Sequence, residues 1–117
     1  MDGIAIGPDG GERVGRAPRD HRILAELDQF EVVELCFSPD FEGVPVHEHT
    51  DFVDSFYVLD GEAEFSVGDS TFRAPPGSFV AAPPGTRHGF RNAGDGDLRM
   101  LNIHAPHAGF ARRLRGG

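Results

Sequence analysis

The strongest constraint on the fold of this chain is its punctuation. Between residues 21 and 105, short runs rich in Val, Ile, Leu and Phe are cut by Asp28-Gln29, Pro39-Asp40, Asp60-Gly61, Gly68-Asp69, Pro75-Pro76-Gly77, Pro83-Pro84-Gly85 and Ala93 to Asp97. Glycine takes backbone angles closed to other residues and proline lacks an N–H, so such clusters end regular structure. Between the cuts the period is two: Ala63, Phe65 and Val67 alternate with Glu62, Glu64 and Ser66. No segment holds helical periodicity beyond about two turns, and turn signals recur every 8 to 12 residues or so. The pattern predicts an all-β domain, a sandwich or barrel of about nine to eleven strands.

Strands are predicted at residues 21–26, 30–37, 44–49, 53–59, 62–67, 70–74, 78–82, from His88 onward, and at 98–105, with one more short strand at 3–6. Hairpins are expected across Asp28-Gln29, Asp60-Gly61 and Gly68-Asp69. At 117 residues the chain suits one core. It divides into an extended N-terminal arm (1–20), the β domain (21–106) and a C-terminal tail or short helix (107–117).

Charge narrows the function. A formal net charge of −8 argues against a polyanion as partner, because phosphate contacts need a concentrated basic surface. Arg112, Arg113 and Arg115 make only a local patch, explained by favourable charge at a helix end. The chain has no lysine, which excludes Schiff-base catalysis on an amine. Cys36 is the one cysteine, so there is no internal disulfide and no cysteine-based zinc site; in an apolar strand it reads as an inert buried thiol. No stretch approaches 18 apolar residues and no leader stands at the N-terminus, so a cytoplasmic protein without a membrane partner is expected.

Chemistry concentrates in two places. His47-Glu48-His49 puts two imidazoles on one face if it is a strand, and Asp54, Phe56 and Val58 share a face of the next strand. If the two strands are neighbours, Asp54 comes beside the histidines, a partial N,N,O set of the kind that binds a divalent metal; two exposed loop histidines would give the same letters. A third histidine, His88, follows the turn Pro83-Pro84-Gly85 with Phe90 on its face.

Together the segments resemble the cupin superfamily. Gly43, three residues, His47-Glu48-His49, four residues, Asp54, six residues and Gly61 match its first motif, with aspartate where glutamate is usual. Gly77, five residues, Pro83-Pro84-Gly85, two residues, His88, three residues and Asn92 match its second motif at every position. The resemblance covers roughly residues 21–106 and implies a double-stranded β-helix, or jelly-roll barrel, holding one divalent transition metal (Fe, Mn, Ni, Zn or Cu) on His47, His49, Asp54 and His88. Aspartate is shorter than glutamate by about 1.5 Å, so the strand moves in, or Asp54 binds through water, or three histidines hold the ion alone. Asp51 is a second candidate, with the wrong spacing to Gly61.

Phe56, Val58 and Phe90 share parity with the ligands and predict an apolar pocket for a small substrate. Met100, Asn102 and His104 share a face of the last strand; they either extend that pocket, with His104 and Asp54 as catalytic groups, or form a solvent-facing row. His21 reads as a surface residue. The resemblance implies a metal-dependent, quercetinase-type dioxygenase acting on a small apolar or phenolic molecule. Its alternatives are a non-catalytic ligand- or metal-binding module and a metal-assisted isomerase. It also implies a homodimer, with Tyr57 and Leu59 as an outward apolar row.

Overall fold

The computed structural model describes residues 3–116. Ten strands form, β1 (Glu12–Arg16), β2 (Arg19–Glu26), β3 (Glu31–Phe37), β4 (Val44–His47), β5 (Val53–Asp60), β6 (Ala63–Val67), β7 (Ser70–Ala74), β8 (Phe79–Ala82), β9 (His88–Asn92) and β10 (Leu98–Ala105), followed by the helix α1 (Phe110–Leu114). The N-terminal strand lies at Glu12–Arg16, not at residues 3–6, because Arg13 to Arg16 pair with β2.

The strands make two antiparallel sheets, a six-stranded one in the order β1-β2-β3-β10-β5-β8 and a four-stranded one in the order β4-β9-β6-β7. Neither sheet closes on itself, which corrects the expected jelly-roll barrel: the ladders end at β1 and β8 in one sheet and at β4 and β7 in the other. The prolines account for part of this. Pro75-Pro76 and Pro83-Pro84 isolate β8 from its chain neighbours, and β4 carries Pro45, a residue sheets confine to their edges. The hairpin expected across Asp60-Gly61 is also corrected. β5 pairs with β10 and β8 while β6 pairs with β7 and β9, so Gly61 carries the chain between sheets. A Cβ there would lie 2.4 Å from the Asp97 carbonyl oxygen, at φ 81°; only glycine fits so close a crossing.

The sheets pack face to face. Alternation on β10 buries Leu98, Met100, Asn102 and His104 and turns Arg99, Leu101 and Ile103 outward. Phe56 from one sheet meets Phe65 and Phe90 from the other at ring-centroid distances of 5.1 and 5.3 Å, and Phe37 stacks on Phe41 at 4.0 Å. Burying each such side chain contributes about 1.5–3 kcal/mol.

Candidate metal centre

Each candidate ligand comes from a different local context. His47 ends β4, and its Cα partner across the ladder is His88, the first residue of β9. That close pairing depends on Gly89, where a Cβ would sit 2.6 Å from the Val44 carbonyl oxygen. His49 lies outside β4, in the loop to β5, so strand alternation does not aim it as expected; the Gly85 N–H donates to the His49 carbonyl at 2.7 Å and pins the loop to the Pro83-Pro84-Gly85 turn. Asp54 comes from the facing sheet, not from a strand neighbouring β4. The site therefore bridges the sheets.

One ligand atom from each of His47, His49, Asp54 and His88 converges on a common point, all four lying within 4.8 Å of one another. His88 Nδ1–H donates to the Thr86 carbonyl at 2.8 Å, and His47 Nδ1–H donates to that of Pro45 at 2.9 Å. Each Nε2 is thereby directed inward, the orientation that metal-binding histidines require. His47 Nε2 and His49 Nε2 stand 3.0 Å apart, and Asp54 Oδ2 lies 2.9 Å from His88 Nε2 and 3.3 Å from His49 Nε2. Three imidazoles and one carboxylate oxygen converging this closely fit a divalent transition metal, and this donor set does not select among Fe, Mn, Ni, Zn and Cu. Asp51 is exposed and outside the cluster.

The electrostatics of the cluster act in both directions, holding His49 toward the neutral form and His88 toward a proton that a metal would displace. Burial, together with the neighbouring His47, His88 and His104, holds His49 below the usual imidazole range despite Asp54, so it stays neutral. Burial works against protonation of His88, but its hydrogen bonds to Asp54 and the Thr86 carbonyl outweigh this and raise its pKa. Burial also disfavours an ionised Asp54, yet hydrogen bonds from His104, His88 and Asn102 hold its carboxyl well below the usual carboxylate range.

Asp54 Oδ1, on the side away from His88, receives Asn102 Nδ2 at 2.7 Å and faces His104 Nε2 at 3.1 Å. His104 is its Cα partner on β10. Met100, Asn102 and His104 thus point inward and are not a solvent-facing row. The other nitrogen of His104, Nδ1, contacts Glu31 Oε1 at 3.1 Å. Glu31, 1% exposed, also accepts backbone N–H groups from Ala108, Phe110 and Ala111 at 2.9, 3.0 and 3.3 Å. One carboxylate thereby ties the C-terminal segment to the polar chain that ends at Asp54.

A cavity of about 140 Å³ opens beside the ligands, lined by His47, His49, Asp54, Phe56, Phe90, Asn102 and His104, with Arg19, His21, Phe110 and Arg113 also on its wall. Val58 and Met100, expected in this pocket, are 0% exposed and packed in the core. His21, expected at the surface, meets Phe37 and Phe110 edge-on. Phe52, not singled out from sequence, stacks on His49 at 4.3 Å. Cys36 is half-buried and faces Asp97, away from the site, where burial and Asp97 raise its pKa.

Solved structures of low sequence identity share this architecture. KdgF from Halomonas sp. superposes with a TM-score of 0.84 at 20% identity, over 94% of this chain and 99% of that one. An RmlC-like cupin from Shewanella frigidimarina gives 0.75 at 20%, over 91% and 92%. A variant of Streptomyces PAC13 with uridine gives 0.69 at 19%, over 91% and 84%. No protein of curated function matches the chain. The Cupin domain profile matches residues 33–104, from β3 to His104 and including all four clustered ligands, and the chain belongs to that family.

Proposed function

We propose that this cupin is a metal-dependent oxidoreductase of the dioxygenase type, acting on a small molecule bound beside the metal. The observation that carries the reading is that the His47, His49, Asp54 and His88 cluster lies against a cavity whose wall includes three of the four, His47, His49 and Asp54, so that an ion held there would have room for a substrate beside it. A transition metal held there supplies Lewis-acid and redox chemistry to a substrate oxygen. The histidines hold it, Asp54 completes the set or acts as base, and His104 with Asn102 fixes the Asp54 carboxylate. Phe56, Phe90 and Phe110 form the apolar side of the cavity.

At about 140 Å³ the cavity is well below the roughly 300–1,000 Å³ of pockets for drug-sized ligands. The reading therefore favours a substrate smaller than a flavonol. That PAC13 was solved with uridine favours a small-molecule occupant over a purely structural site. A second reading, a metal-assisted isomerase, is favoured by the polar wall of Asn102 and His104.

The test is oxygen uptake by protein reconstituted with each of Fe(II), Mn, Ni, Cu and Zn, against small phenols, diketones and thiols. Uptake that disappears in His49→Ala supports the oxygenase. Turnover without uptake supports the isomerase, and binding without turnover leaves a ligand-binding module. We further propose a cytoplasmic homodimer paired through the outer face of the six-stranded sheet, where Tyr57 and its Cα partner Phe79 stand 40% and 63% exposed. Light scattering should give twice 12.7 kDa; a monomer mass refutes the pairing.

A further inference from the structure

The charge around the cavity is one-sided. Two guanidiniums are on its wall, Arg19 at the start of β2 and Arg113 in α1, while Asp54 is the one carboxylate there. Asp54 is already engaged by His88, His104 and Asn102. The two guanidiniums and Asp54 sum to +1, and a bound divalent cation would raise that to +3. Among the described residues, Arg22, Arg73, Arg91, Arg99 and Arg115 are all paired with glutamates; Arg13, Arg16, Arg19, Arg87, Arg112 and Arg113 form no salt bridge, and of these only Arg19 and Arg113 line the cavity.

The two cations are placed without using up their donors. Arg19 lies 5.2 Å from the Phe41 ring centroid, and Arg113 lies 6.0 Å from that of Phe110 while donating one N–H to the Ala108 carbonyl at 3.0 Å. A guanidinium has five N–H donors in a flat fork matched to a carboxylate, so most of them remain available. Arg113 is positioned by the same C-terminal segment that Glu31 anchors. In a chain of net charge −8, two unpaired cations beside a metal site make a local reason for an anion to enter.

We infer that the substrate is a small organic acid whose carboxylate is met by Arg19 and Arg113 while its other end faces the His/Asp centre. This rests on the reading of the cavity as the substrate site, and it replaces the apolar or phenolic class with an anionic one. The phenylalanines then contact the carbon skeleton.

The test uses the full chain loaded with redox-inert zinc, with lactate and the uncharged propane-1,2-diol as probes, followed by ligand-observed NMR. Carboxylates also ligate zinc, so the variants Arg19→Met and Arg113→Met decide the matter. Each should weaken lactate binding about 10-fold, the size expected for a lost charge-assisted hydrogen bond, while diol binding and zinc content stay as in the parent. Arg113→Lys should recover part of the loss. Lactate binding that is undetectable in the parent, or unchanged in both methionine variants, overturns the inference. Tighter binding of glycerol phosphate than of lactate also overturns the carboxylate assignment. Zinc content and oxygen uptake, measured separately, report failure of the metal-enzyme reading independently of this result.

Discussion

Glu31 is the residue whose loss should be felt furthest from its own position. Replacing it with alanine leaves the N–H groups of Ala108, Phe110 and Ala111 and the Nδ1 of His104 without their buried acceptor. A buried donor stripped of its partner costs about 1–3 kcal/mol, and water entering the vacated space recovers part of that. Breaking a buried charged interaction as a whole costs about 3–5 kcal/mol. Unfolding entropy of about 2.1 cal/mol/K per residue gives about 0.25 kcal/mol/K for this chain, so Glu31→Ala should lower Tm by about 12–20 °C. Glu31→Gln keeps one oxygen. Placed at the Oε1 position, that oxygen still serves Ala108, Phe110 and His104, while the Oε2 contacts to Ala111 N–H at 3.3 Å and His107 Nε2 at 3.5 Å are lost; the cost should be about 1–2 kcal/mol. The assay is thermal unfolding with chelator present, so that metal binding does not mask the change, together with amide exchange across residues 107–114. A loss below about 1 kcal/mol in Glu31→Ala, equal losses in the two variants, or unchanged exchange in the C-terminal segment would refute the assignment of Glu31 as the anchor of that segment.

Three further outcomes are expected. His49→Ala and His88→Ala should each lose stoichiometric metal, read by elemental analysis, and retention in either variant removes that residue from the ligand set. Gly61→Ala should destabilise by about 2–4 kcal/mol, from an unfavourable positive φ and a Cβ driven 2.4 Å from the Asp97 carbonyl oxygen; denaturant midpoints check it. Burial disfavours ionised Glu34, but hydrogen bonds from Arg99 and Arg22 outweigh this and lower its pKa from 4.5. Its stabilisation is therefore full above about pH 4.5 and lost as pH falls through the lower folded value. Glu34→Gln should flatten the acid limb of the stability profile in that window and leave the limb above about pH 6 with the same slope.

Motif spacing and alternation carried the reading a long way. The four clustered ligands were nameable because each belongs to a short pattern with its own turn, and nine of the ten strands were predicted close to their places because burial of one sheet face imposes a period of two. What failed was pairing. Val53 to Asp60 and Ala63 to Val67 look like a hairpin by every local rule, yet they belong to different sheets, because Gly61 bends the chain across the core. A second crossing, in the loop between His47 and Val53, invalidated the argument that set Asp54 on a strand neighbouring His47: they do meet, but across the space between sheets.

By itself the sequence determined the all-β character, the turn positions and which four residues cluster, since these depend on patterns of residues close together in the chain. Only the tertiary structure decided that the sheets stay open, that Val58 and Met100 are core while Arg19 and Arg113 face the cavity, and that Glu31 reaches His104 and the C-terminal segment. Glu31 and His104 are 73 residues apart. No periodicity or local spacing encodes a contact of that range, because it follows from which strands the whole chain brings into register.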